Sequence, residues 1–223
     1  MINLPTYAGV LERYELTGEP LIVRAPRVPL TRTAFAAAHV VSDPIKERSP
    51  WDTRPAVDWD ATLDFRRGLW DQGLGLAEAM DTAQRGMGVD WLTAKELIER
   101  TMADAKHHAM KPRVACGAGT DHAALADLKD ADAITAAYET QMAAIEAAGG
   151  QVILMASRAF TNIGAQEATY RAVYRRLIDQ AKDPVILHWL GDMFDPALKG
   201  YWGSTDVNRA TDFVLELISE NPG

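Results

Sequence analysis

Ala147-Ala148-Gly149-Gly150-Gln151-Val152-Ile153-Leu154-Met155-Ala156-Ser157-Arg158 holds one complete change of structure. The stretch that enters it, Asp130–Ala148, is alanine-rich, with Ile134, Tyr138, Met142 and Ile145 at helical spacing. Gly149-Gly150 ends that helix, because glycine takes the left-handed conformation of a helix C-terminus without steric cost. The apolar run Val152–Ala156 follows and stops at two polar residues, Ser157 and Arg158. Helix, stop, strand and polar tip together make one unit of parallel β/α architecture.

The same unit recurs on both sides. Five strand-like runs end at chemically capable side chains. Thr33–Val40 carries His39, and Leu74–Ala79 leads to Glu78 and Asp81. Arg113–Cys116 passes through a glycine loop to Asp121 and His122. Val152–Ala156 reaches Ser157 and Arg158, and Pro184–Leu187 reaches His188. Helices are expected at about Asp60–Gln72, Thr93–His108, Asp130–Ala148, Ala165–Ala181 and Thr205–Ser219. Asp58 or Asp60 is a suitable N-cap for the first, and Thr93 with Glu96 forms a capping-box pattern for the second. Strand starts lie roughly 33 to 40 residues apart, the pitch of a strand–helix–strand unit.

The fold class that follows is α/β, in the (β/α)8 barrel family, with about five β/α units in residues 31–223. Chemistry on that fold sits where strands end. An open doubly wound sheet gives the same alternation, but it usually shows a phosphate fingerprint after its first strand. Thr33–Val40 has none. Eight units at this pitch need roughly 300 residues, so the count predicts the front of a barrel. Ser219–Gly223 reads as a turn leading to a further strand. Residues 1–30 read as a lead-in with a β-hairpin, in which Tyr14-Glu15-Leu16 and Leu21-Ile22-Val23 flank the turn Thr17-Gly18-Glu19.

Formal net charge is −8 at pH 7. That balance disfavours a nonspecific nucleic-acid binder, because neutralising phosphates needs clustered basic side chains. The pairs Arg66-Arg67 and Arg175-Arg176 are isolated and read as solvated helix faces. One cysteine, Cys116, allows no internal disulfide and points to a reducing compartment. Within a strand it reads as a small buried hydrophobe. Met1–Leu11 lacks the signal-peptide pattern, and no apolar run approaches the roughly 20 residues of a membrane helix. A cytoplasmic protein with no nucleic-acid or membrane partner is expected.

Three local motifs bear on chemistry. Val114-Ala115-Cys116-Gly117-Ala118-Gly119-Thr120-Asp121-His122 runs a strand into Gly-x-Gly-Thr, either a nest of amides for a carboxylate or phosphate or a tight turn. Arg158 suits either a bidentate grip on a substrate carboxylate or a loop salt bridge. The loop Gly191-Asp192-Met193-Phe194-Asp195-Pro196 is long and aromatic, as lids often are, and Asp192 is close enough in sequence to orient His188.

On these residues the chain resembles the dihydrodipicolinate synthase and N-acetylneuraminate lyase family. The segment Val114–His122 is similar to that family's third strand, an apolar run into Ala-Gly-(Thr/Ala)-Gly-(Ser/Thr)-Asn. Residues 147–155 resemble the approach to its fourth strand. Asp183-Pro184-Val185-Ile186-Leu187-His188 is similar to its fifth, Pro-(Ile/Val)-Ile-Leu-Tyr-Asn, and Leu92–Glu96 to the helix opening after its second. The resemblance covers about residues 33–219. It implies a lyase or aldolase acting on a small oxo-acid, with no cofactor and as a homo-oligomer. His188 stands where the family has a tyrosine proton relay, and histidine relays protons near neutral pH. Thr82 alone carries over from the family's carboxylate cradle Gly-Thr-Thr-Gly-Glu, here Met80–Gln84. The catalytic residues implied are His188 and Asp192, with Thr82, Thr120, Asp121 and Arg158 as substrate contacts. The family's Schiff-base lysine ends a sixth strand, and no lysine of this sequence ends a strand-like run. The covalent lysine is therefore expected beyond Gly223.

Two alternatives stand beside that reading. His39, Glu78, His122 and His188 could together bind a divalent metal ion in a barrel lyase or isomerase. The chain could instead be a non-catalytic half-barrel that pairs its open edges with another chain.

Overall fold

The computed structural model describes residues 2–15, 17–19, 32–46, 49, 51, 52, 54–81 and 84–222. Among them lie seven strands and six α-helices: β1 (Ile2–Pro5), β2 (Leu11–Tyr14), β3 (Phe35–Ala37), α1 (Trp59–Asp71), β4 (Gly75–Glu78), α2 (Trp91–His107), β5 (Val114–Ala118), α3 (Ala131–Ala148), β6 (Gln151–Leu154), α4 (Arg158–Asn162), α5 (Glu167–Gln180), β7 (Ile186–Leu187) and α6 (Val207–Glu220).

Strands β3 to β7 form one sheet in chain order, and every neighbouring pair is parallel. Order without reversal means each crossover advances one strand in the same direction. The helices then collect on one face and the sheet curls into a half-barrel. A doubly wound sheet would reverse order at a switch point, and this one does not.

Side-chain alternation agrees. Leu76, Val114, Cys116, Val152, Leu154 and Leu187 point to the helices and join the main core with Trp70, Ile98, Ile134, Tyr138, Tyr174 and Phe213. Ala77, Ala115, Ile153, Met155, Phe35 and Ile186 form a second, smaller cluster on the concave face. Successive strand residues thus serve opposite faces, as a period of two requires. The concave face fills itself with two bulky side chains laid over glycine. A Cβ on Gly75 would meet Phe35 Cδ1 at 3.0 Å, and one on Gly117 would meet Met155 Sδ at 2.7 Å.

Helix starts are set by aspartates. The side chains of Asp58, Asp90 and Asp130 accept from the amides of Ala61, Thr93 and Ala133. Asp90, not Thr93, therefore caps α2, and the expected capping box is absent. Buried Thr93 instead accepts from Arg54 Nε at 3.2 Å.

An N-terminal hairpin is present, in which β1 pairs antiparallel with β2 around the turn at Thr6–Val10; the arm expected at Leu21–Val23 lies outside the described residues. The Gly-x-Gly-Thr segment is not a nest. Strand β5 continues through Gly117 to Ala118, and its glycines admit Met155 and the Ala79 carbonyl rather than expose amides. No helix among the described residues is long and apolar enough to cross a membrane.

Candidate active site

At the tip of β4 lies a saturated ion pair. Glu78 and Arg66 are both fully buried. Arg66 Nε and Nη2 donate to the two Glu78 carboxylate oxygens at 2.7 and 2.8 Å. Thr101 Oγ1, the Gln84 side-chain amide and the Ala79 amide add 2.8, 2.8 and 3.0 Å bonds. Arg66 Nη1 is spent on the His39 and Thr62 carbonyls, each at 3.0 Å. This cluster ties β3, α1, β4 and α2 together. It also holds Ala79 at φ 55°, a left-handed conformation that costs a non-glycine residue energy unless its surroundings impose it. The Met80 amide donates to Gln84 Oε1 at 2.6 Å, which closes the turn that presents Asp81 and Arg85.

Arg85 is the centre of a second arrangement. Its side chain is 4% exposed. Nη1 donates to Asp121 Oδ1 at 2.7 Å and to Gln141 Oε1 at 2.6 Å, and Nη2 donates to the Gly117 carbonyl at 2.7 Å. Its guanidinium carbon stands 4.9 Å from the Trp91 ring centroid. Its Nε is buried and has no hydrogen-bond partner among the described residues. Burial pulls its pKa down, opposed by Asp121, yet an arginine stays charged throughout the physiological range. Gln141, fully buried on α3, completes the ring. Its oxygen also accepts from the Gly119 amide at 2.7 Å, and its nitrogen donates to Asp121 Oδ1 at 2.9 Å and lies 3.0 Å from His122 Nδ1.

The tips of β5 and β6 meet through a 2.6 Å hydrogen bond between Thr120 Oγ1 and Ser157 Oγ. Behind it the Ser157 amide donates to Tyr201 Oη at 3.2 Å, and Tyr201 Oη lies 2.9 Å from Tyr174 Oη. The Tyr138 hydroxyl donates to the Met155 carbonyl. Burial pushes all three phenols well above their ordinary pKa, so they remain hydroxyls that brace the β6 tip.

A cavity of about 530 Å³ opens over these tips. Arg85, Asp81, Thr120, Asp121, Ser157, Arg158 and Asp195 supply its polar wall, and Met155, Leu125, Leu128, Leu190, Phe194 and Leu198 most of its apolar one. It occupies the carboxyl ends of parallel strands, where α/β folds place ligands.

The expected residues sort as follows. Thr120, Asp121 and Arg158 line the cavity. Arg158 is bound to Asp195 at 2.6 Å, the loop salt bridge rather than a free clamp. His188 Nδ1 is buried and lies 3.7 Å from Asp81 Oδ2. Asp192 is exposed on its loop, and the carboxylate that stands near His188 is that of Asp81. Thr82 lies outside the described residues.

The four expected metal ligands do not converge. Glu78 faces the helices and is consumed by Arg66; His39 is exposed; His122 leans on Gln141. Among the described residues no group of three or more His, Cys, Asp or Glu side chains is placed to hold a metal ion. Cys116 is fully buried, and burial pushes its thiol well up, away from nucleophilic use. Trp202 packs in the aromatic cluster with Tyr174 and Phe213, while Trp189 is 43% exposed.

Sequence reasoning missed Arg66, read as solvated, and Arg85 and Gln141 altogether. Arg66 left a faint signal, since it shares a helical face with Thr62 and Trp70, both buried. Arg85 left none, because its partners come from 32 to 56 residues away.

The chain belongs to the DUF993 family, described as a protein of unknown function, whose family model matches residues 2–223. No curated protein matches it at a significant level.

Proposed function

We propose that the cavity at the strand tips is the substrate site of a lyase of the aldolase type, acting on a small oxo-acid. One observation carries this reading: a buried arginine and a hydroxyl pair, drawn from three successive strand ends, converge on one cavity of ligand size. Such groups suit a carboxylate and a carbonyl oxygen, which need donors fixed in a site with little water. The likeness to the dihydrodipicolinate synthase and N-acetylneuraminate lyase family supports the same substrate class.

His188 does not line the cavity; it stands beside Asp81, which does, and in this scheme it relays protons through that carboxylate. A 4-hydroxy-2-oxo acid gives up its hydroxyl proton to the Asp81 carboxylate, and the C3–C4 bond breaks to leave an aldehyde. Its electron pair moves through C3 into the C2 carbonyl, and the proton returns to C3 by the same route. No lysine lines the cavity among the described residues; in this scheme Thr120 and Ser157 hold the developing oxyanion.

Titration calorimetry with pyruvate, followed by borohydride treatment and mass measurement, tests this scheme. Reversible binding with no reducible adduct is expected. Failure of pyruvate and of larger 2-oxo acids alike to bind ends the reading, and an adduct overturns the lysine-free scheme.

A second feature supports self-association. Among the described residues strands β3 and β7 each pair on one side only, leaving two parallel edges open there. Sedimentation is expected to show an oligomer; a stable monomer at micromolar concentration counts against it.

A further inference from the structure

The cavity is much larger than pyruvate, and its far wall is hydrocarbon. A three-carbon acid against Arg85 and Thr120 leaves most of the 530 Å³ empty. Beyond those groups the lining passes to Leu125 and Leu128 on the β5–α3 connection and to Leu190, Phe194 and Leu198 on the β7–α6 connection. Leu128 and Leu198 are buried, whereas Leu125 is 42% and Phe194 68% exposed. Two loops from opposite sides of the mouth therefore each present a buried leucine and an exposed apolar neighbour to the same space. Exposed side chains of this kind lose contact with water when an apolar group fills the gap between them, which is favourable in proportion to the area covered.

Most of the polar lining groups lie on the strand-tip side; Asp195 stands beside Phe194 on the β7–α6 connection, and several of these groups already have partners. Asp121 is committed to Arg85 and Gln141, and Asp195 to Arg158.

Resting on the proposed oxo-acid site, we infer that its substrate carries an apolar tail: a 2-oxo acid with a branched aliphatic or aromatic substituent beyond C3. The acid head lies toward Arg85, Thr120 and Ser157, and the tail runs between Leu125 and Phe194.

Three probes of defined chemistry test this by titration calorimetry on the full chain: pyruvate, 4-methyl-2-oxopentanoate and 2-oxogluconate. The branched acid is expected to bind at least about tenfold more tightly than either other acid, with a negative heat-capacity change that marks apolar burial. In Phe194→Ala and Leu125→Ala that preference is expected to shrink several-fold. Both side chains are exposed enough to remove without opening the core, and a thermal melt checks that the fold is kept. Equal binding of all three acids, or tighter binding of 2-oxogluconate, overturns the apolar-tail inference and leaves the oxo-acid site standing. A preference that survives both substitutions also overturns it, since the tail then lies elsewhere. Failure of all three acids to bind removes the site and the inference together.

Discussion

Two arginine–carboxylate pairs stand within a few residues of each other at the strand tips, and they are built to different ends. Arg66–Glu78 is wholly buried, and every carboxylate lone pair that the geometry favours is taken. Arg85–Asp121 is lopsided. The guanidinium is buried, the carboxylate side chain is 42% exposed, and one guanidinium nitrogen has no acceptor among the described residues. A saturated pair can only hold things in place. The Arg85–Asp121 pair lines the cavity wall with its carboxylate partly exposed, so a ligand can reach it. The first fixes the β4 turn; the second uses that turn to face the cavity.

The largest effect expected is on the first pair. Arg66→Met leaves Glu78 charged, buried and short of two donors. Removing one partner of a buried ion pair costs about 3–5 kcal/mol, so urea unfolding should show a loss of that size. The double variant Arg66→Met/Glu78→Gln should recover much of it. A loss under 1 kcal/mol in the single variant would erase the contrast between the pairs.

Arg85→Met should behave the other way round. Asp121 stays partly solvated, so stability should fall by less than in Arg66→Met. Acid binding should weaken by ten- to a hundredfold, about 1.4–2.7 kcal/mol. If stability falls as far as in Arg66→Met while affinity holds, Arg85 is a second structural clamp and the cavity needs another anchor. Ser157→Ala comes next in size. It removes the partner of Thr120 and the side-chain cap on the Ala159 amide. About 1 kcal/mol of stability should go with it, and ligand affinity should drop only a few-fold.

The contrast between the pairs also explains what the sequence could disclose. The five-unit repeat was legible because strand period, helix period and glycine stops are local and redundant. Asp130–Ala156 shows all three signals in one stretch. The order of the strands followed, since short crossovers of one hand leave few alternatives. The strand tips were legible as places, and Thr120, Asp121 and Arg158 do line the cavity. What each tip does was not legible. Glu78 sits at a tip yet faces the helices, because one residue of strand register decides which face a side chain serves. Arg85 follows β4 in a turn whose shape depends on Gln84 reaching back to Glu78. Its burial arises from α3 and β5, and no window of sequence contains those partners.

The smallest effect expected concerns His122, which touches the Arg85 network through Gln141. Desolvation and the nearby guanidinium hold its pKa below the ordinary histidine value, against the pull of Asp121. The unfolded chain therefore takes up the proton first as pH falls. Between the unfolded value near 6.5 and the lower folded one, the unfolded state binds more protons, so stability declines as the solution is acidified. His122→Asn keeps a polar group beside Gln141 and cannot titrate. Its unfolding midpoint should fall less than the parent's between pH 7.5 and pH 5.5, while the two proteins differ little above pH 7. A steeper decline in the variant would mean that the imidazolium is welcomed at this place. The second pair would then be short of positive charge rather than of an acceptor, and the ligand expected there would change sign.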